Sequence, residues 1–151
     1  MKRLATYALL LLCTLSTVTV SSQIIGNSKP KQFDAFPGII NCTESELGRV
    51  FASSEGQNIS LSLSNDFSFA GVVTSNMVKY SNLQSAVIKS PTYNNSVFNI
   101  SKRVNADNSI TYVGHIINLN YFDGYELRRN TAGIYQLIKI ETDKVIPICA
   151  Y

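Results

Sequence analysis

The sequence predicts a mainly β protein: a single antiparallel meander that forms a β-sandwich or a partly closed barrel, with one short N-terminal helix. From Asn58 onward, apolar residues alternate with polar ones, which is the period of β-strands. The segments between the alternating runs are short and rich in turn-forming residues, so consecutive strands are expected to be antiparallel neighbours. No segment long enough for a crossover helix separates two predicted strands, which argues against a parallel α/β sheet.

The first residues of the chain predict export. Lys2 and Arg3 form a basic start, residues 8–12 are apolar, and small residues follow at 20–22. We expect a cleaved signal peptide at 1–22, of the kind found in bacterial proteins, and a secreted or periplasmic mature protein. The apolar run is shorter than the roughly 20 residues of a membrane span, so no membrane attachment is expected after cleavage.

Charge and length limit the classes of partner. The chain has 151 residues and a net charge of +3, and Lys2 and Arg3 supply two of the positive charges. The mature protein is therefore almost neutral, and its basic residues form no run. We expect no nucleic-acid partner. The length that remains after cleavage corresponds to one domain.

Behind the signal peptide, the sequence predicts an extended N-terminal segment at 23–41 and an antiparallel β domain at 42–151. Phe33 and Phe36 make the second half of the segment too apolar for a free linker, so we expect it to pack on the domain. Thr43 and Glu46 have the spacing of a capping box, which predicts a short helix over 43–53.

Alternation and turn residues predict seven strands in the β domain. They cover 58–64, 67–73, 84–89, 97–104, 110–118, 125–129 and 134–141, and a last short strand is expected at 145–149. Asp123 and Gly124 are expected to form a turn. Both faces of the strand at 110–118 are apolar, which is typical of a strand covered on two sides. The predicted core contains Phe51, Leu61, Phe69, Val73, Val87, Phe98, Ile100, Ile116, Leu137 and Ile140.

The cysteines predict one disulfide bond. Signal cleavage removes Cys13 and leaves Cys42 and Cys149, one near each end of the mature chain. Because exported proteins mature in an oxidising compartment, we expect these two to pair. The alternative is that both are buried free thiols.

The sequence contains no recognisable catalytic, metal or cofactor motif. His115 is the only histidine, and it lies in no nucleophile or zinc motif. The glycines form no phosphate-binding loop. We therefore expect no catalytic residues, no metal and no cofactor.

These features favour a non-catalytic binding or interaction module with an unknown protein or glycan partner. Tyr121, Phe122 and Tyr125 are the candidate contact patch, because tyrosine brings a large contact area with few rotatable bonds. The alternative is that these aromatics are buried in the core. Two other functions remain open. One is an inhibitor or pro-segment-like partner of a secreted hydrolase, and the other is a small hydrolase that uses Asp123, Glu126 or His115.

Overall fold

The computed structural model describes residues 29–145, so the predicted signal peptide and Cys149 lie outside the described residues. This part of the chain contains eight strands and two helices. They are β1 (Ile39–Cys42), α1 (Glu44–Ala52), β2 (Asn58–Ser62), β3 (Ser68–Tyr80), β4 (Leu83–Ser90), β5 (Ser96–Val104), β6 (Ile110–Ile117), β7 (Asp123–Arg129), β8 (Tyr135–Glu141) and α2 (Thr142–Val145).

All eight strands belong to one antiparallel sheet in the order β1-β8-β7-β6-β5-β4-β3-β2. The sheet is curled into a half-barrel. The predicted mainly β, antiparallel meander is thus confirmed from β2 to β8, whereas a sandwich is not confirmed. The sequence did not predict β1. This strand lies at the end of the N-terminal segment and pairs with β8, so it forms one edge of the sheet.

Helix α1 confirms the prediction from the capping box, but only half of that motif forms. The Thr43 hydroxyl accepts the Glu46 N–H at 3.4 Å. The Glu46 carboxylate turns away from Thr43 and accepts the Ser62 N–H at 3.0 Å, which ties the helix to β2. Leu47 and Val50 are fully buried on the side of the helix that faces the sheet.

The core lies on the face of the sheet that α1 covers, which we call the concave face. The second half of the N-terminal segment covers the same face, as predicted, because Phe33 is fully buried there. Its ring packs against those of Phe67, Tyr93 and Tyr125, with centroids 5.3–6.1 Å apart. The Lys139 ammonium donates to the Phe33 carbonyl at 2.8 Å, which ties the N-terminal segment to β8.

The predicted core is wrong at two residues. Val87 and Ile140 are half-buried on the opposite, convex face, whereas the other eight predicted core residues are buried. Neighbours along a strand point to opposite faces, so the inward positions of Ile88 and Leu137 direct Val87 and Ile140 outward. In β4 and β8 both alternating sets contain apolar and polar residues, so the sequence alone does not say which set faces inward.

The predicted turn at Asp123 and Gly124 is also wrong, because both are the first residues of β7. A Cβ atom at Gly124 would lie 2.5 Å from the Ile116 carbonyl oxygen, so glycine permits a close approach of β6 and β7 there. The chain turns earlier, at 118–122. Two other predicted boundaries of strands differ from those in the structure. β3 extends through the predicted connection at 75–82 as far as Tyr80, and Val145 ends α2 where a strand was expected to begin.

Candidate functional site

The predicted aromatic patch is divided between the core and the surface. Tyr125 is fully buried on the concave face, and its hydroxyl donates to the Pro37 carbonyl at 2.7 Å. Burial raises the pKa of Tyr125 to about 12. Tyr121 and Phe122 are half-buried in the loop before β7. Of the three aromatics, only Tyr121 and Phe122 therefore remain candidates for an external contact.

The Cys42–Cys149 disulfide stays a prediction, because Cys149 lies outside the described residues. Cys42 is buried at the end of β1, and desolvation raises the pKa of its thiol to about 11. It is opposite Tyr135, the first residue of β8, while the described chain ends at Val145, beyond the other end of that strand.

The residues of the hydrolase hypothesis lie on different sides of the sheet. Asp123 points to the concave face, where its carboxylate accepts the N–H groups of Gln32 and Phe33 at 2.6 and 2.9 Å. Glu126 points to the convex face, where its carboxylate lies 4.0 Å from His115 and 2.5 Å from Arg128. The two carboxylates thus point to opposite faces of the sheet, although both residues border one recess beside β7 and β8. The hydrolase hypothesis stays a prediction.

Residues 29–145 lack two further features. No group of three or more His, Cys, Asp and Glu side chains in this range could hold a metal ion. Neither of its two helices is long and apolar enough to cross a membrane.

A recess on the convex face is the candidate site. It lies where β5 starts and β6 ends, and it has a volume of about 590 Å³. Val97 and Ile117, which are direct cross-strand partners, form an apolar floor. We call this site the asparagine recess, and its lining consists of Asn95, Val97, Asn99, Ile117, Asn118, Leu119 and Asn120.

Hydrogen bonds between two loops fix the rim of the asparagine recess. The Asn94 amide donates to the Tyr121 hydroxyl at 2.7 Å, and the Asn118 amide donates to the Asn94 carbonyl at 2.8 Å. The Asn118 side-chain oxygen also accepts the Asn120 N–H at 3.0 Å. These bonds join the turn before β5 to the loop before β7. They also connect Tyr121, from the predicted patch, to the recess.

Three amides of the recess are free to bind a ligand. The side chains of Asn95, Asn99 and Asn120 are exposed and have no hydrogen-bond partner within the described residues. Each offers N–H donors and a carbonyl acceptor. None of the seven lining residues is charged. The recess can therefore make several neutral hydrogen bonds above an apolar floor.

Sequence reasoning missed this site because asparagine is common in turns for conformational reasons. Asn94 and Asn95 have φ values of +48° and +65°, a region that asparagine tolerates better than most residues. Such residues therefore predict a turn before they suggest a ligand. The usable signal was the recurrence of asparagine in two loops that an antiparallel meander places at the same end of the sheet.

A second recess of about 540 Å³ borders β7, β8 and α2, and Phe122 is part of its wall. It differs from the asparagine recess because most of its lining is charged. Many of these charges are paired with each other, which weakens their attraction for an external ion. The pairs are Lys31 with Asp34, Arg128 with Glu126, and Lys144 with Glu141.

Comparisons with known proteins give no match. No protein-family model matches the chain, and no curated protein and no solved structure is significantly similar to it. The shape of the asparagine recess and the chemistry of its lining are thus the guides to a ligand.

Proposed function

We propose that the mature chain is an exported, non-catalytic binding module, and that the asparagine recess binds an uncharged, hydroxyl-rich ligand such as a carbohydrate. The observation that carries this proposal is the set of free amides on Asn95, Asn99 and Asn120, placed around an apolar floor. A sugar hydroxyl both donates and accepts hydrogen bonds, and a side-chain amide does the same. The aliphatic floor suits the C–H surface of a sugar ring.

The absence of charge in the lining favours a neutral ligand over an ionic one. A charged ligand would lose hydration on entering the recess without gaining an opposite charge. Two ionisable residues on this face lie next to the recess but outside its lining. Lys89 is the cross-strand partner of Val97, and His115 is that of Asn99. The volume of about 590 Å³ falls within the roughly 300–1,000 Å³ that is usual for small-molecule sites.

The bonds between the two loops support a site that exists before the ligand arrives. Asn94, Asn118 and Tyr121 use their polar groups to hold the rim, which leaves the neighbouring amides free. A fixed rim lowers the entropy lost on binding. Export is part of the same proposal and rests on the leader at 1–22.

Binding of the mature protein to a panel of neutral, acidic and basic glycans tests the proposal, with calorimetry on each hit. We expect a neutral glycan to bind. We expect Asn99→Ala and Asn120→Ala each to weaken binding about tenfold, the effect of losing a hydrogen bond worth about 1.4 kcal/mol. Asn58→Ala is the matched control, because Asn58 is an exposed asparagine at the start of β2, outside this recess.

Two outcomes would count against this function. One is that no neutral glycan binds at millimolar concentration. The other is that a glycan binds equally well to the wild type and to the Asn99→Ala and Asn120→Ala variants, which would place its site elsewhere on the protein.

A further inference from the structure

Strand β3 is much longer than the strand that pairs with it at the edge of the sheet. β3 has 13 residues, but β2 pairs with it only over Ser68–Val72. Backbone hydrogen bonds of Val73 with Gln57 and Gly56 end this pairing. Among the described residues, no strand pairs with the β2 side of β3 at positions 74–80, which we call the free edge.

The free edge carries exposed apolar side chains. Met77 is 47% exposed, Val78 is 71% exposed and Tyr80 is 70% exposed. An unpaired strand edge presents backbone N–H and C=O groups that can bind another extended strand, and apolar side chains favour such pairing. The other edge strand, β1, has only four residues and offers a shorter row of such groups.

We propose that the free edge of β3 pairs with the free edge of a second copy of this chain, antiparallel and about a two-fold axis. The two eight-stranded sheets would then form one continuous sheet. In the register that we propose, Met77 of one copy lies opposite Met77 of the other. Asn76 then lies opposite Val78, and Ser75 lies opposite Lys79.

The charges at the free edge fit a second copy of the same chain. Lys79 and Glu55 are both exposed, and neither forms an ion pair within residues 29–145. The Gly56 N–H donates to the Val73 carbonyl at 2.8 Å, which places Glu55 beside the start of the free edge. In the proposed register, Lys79 lies opposite Ser75 of the other copy, so Glu55 of that copy is within reach of its side chain.

Two-fold symmetry produces this Lys79–Glu55 contact twice. It also keeps the two Lys79 side chains away from each other, so no like charges meet across the pairing. Strand β2 occupies the same side of β3 and limits the new ladder to about five residues on each chain. The interface is therefore small, and we expect a reversible dimer rather than an obligate one.

Sedimentation velocity over micromolar to millimolar concentrations of the mature protein tests the proposal. We expect a concentration-dependent equilibrium between monomer and dimer. Lys79→Glu and Glu55→Lys should each weaken the dimer at least about tenfold, because each places two like charges together twice. The double variant with both exchanges should recover most of the wild-type affinity. Lys89→Glu, at an exposed lysine of β4, is the matched control and should leave the dimer unchanged.

The exchanged residues are exposed, so the variants are expected to fold, and circular dichroism checks this. A protein that stays monomeric at every concentration would overturn the proposal. A double variant that is as weak as the single ones would also overturn it, because Lys79 and Glu55 would then not meet across the dimer.

Discussion

The two faces of the curled sheet are similar in sequence but different in their surroundings. On β6, Tyr112 and Ile116 point to the concave face and are buried, whereas Val113 and Ile117 point to the convex face. Val113 is 54% exposed there. Helix α1 and the N-terminal segment cover the concave face, whereas no such layer among residues 29–145 covers the convex face at Val113. Apolar residues on both faces of a strand therefore did not mean that both faces are packed.

The polar groups of the two faces also have different partners. On the concave face, Asp123 and Lys139 bind backbone groups of the N-terminal segment, so their bonds hold the covering layer in place. On the convex face, the Glu126 carboxylate pairs with Arg128 and lies 4.0 Å from His115, so its partners are side chains rather than the covering segment. Stability should therefore depend on the concave face, which leaves the convex face available for binding.

Replacement of Tyr125 by alanine should have the largest effect. The ring is fully buried against Phe33 and Phe67, so we expect the free energy of unfolding to fall by about 3–5 kcal/mol. Val113→Ala, on the convex face of the adjacent strand, should change it by no more than about 0.5 kcal/mol. Urea unfolding measures both. Similar losses in the two variants would contradict the difference between the faces.

Replacement of Asp123 by alanine should have the next largest effect. It would leave the part-buried N–H of Gln32 and the buried N–H of Phe33 without their acceptor, at a cost of about 3 kcal/mol. Amide hydrogen exchange at these two residues should become much faster. Glu126→Ala is the control on the same strand and should cost less than about 1 kcal/mol, because its partners are at the surface. Unchanged exchange at Gln32 and Phe33 would show that Asp123 does not anchor the segment.

These effects involve features that the sequence could predict only in part. Local patterns were sufficient for α1, with Thr43 at its start, and for the approximate positions of β2 to β8. The sequence did not predict β1, because its four residues follow Pro37 and Gly38 and its partner β8 is distant along the chain. The sequence also did not show which residues of β4 and β8 face the core, since this depends on which side of the sheet α1 covers.

The candidate site was harder to predict than the fold. Tyr121 was selected as a contact residue, but the asparagines around it were interpreted only as turn formers. Their grouping depends on the turn before β5 and the loop before β7 lying side by side, and on the bond between Asn94 and Tyr121. Pairing between strands, rather than any local motif, places these residues together.

Alkaline pH should lower the free energy of unfolding by a smaller amount than these two replacements. In the reduced protein, the pKa of Cys42 is raised from 9.0 to about 11, so the unfolded chain loses this proton first as the pH rises. The contribution of Cys42 to stability is thus complete below pH 9 and falls above it, by about 1.4 kcal/mol at pH 10. The raised pKa of Tyr125 acts in the same direction above pH 10.

Urea unfolding with reductant at pH 8, 9 and 10 measures this loss. Cys42→Ser should show a smaller decrease, because serine does not titrate in this range. Without reductant, a disulfide at Cys42 would remove its contribution to the pH dependence. The wild type would then match Cys42→Ser, which makes the same experiment a test of the predicted bridge. An equal decrease in all samples would mean that Cys42 does not control the alkaline loss.

Replacements in the asparagine recess should have the smallest effect on stability. Asn99→Ala removes an exposed amide with no hydrogen-bond partner within the described residues, so we expect a change within about 0.5 kcal/mol. Ile116→Ala provides the contrast within the same pair of strands, because Ile116 is fully buried on the concave face. This replacement should lower the free energy of unfolding by about 2–5 kcal/mol. Thermal and urea unfolding measure both changes. A large loss in Asn99→Ala would mean that its amide supports the fold, and the recess would then be a structural feature rather than a binding site.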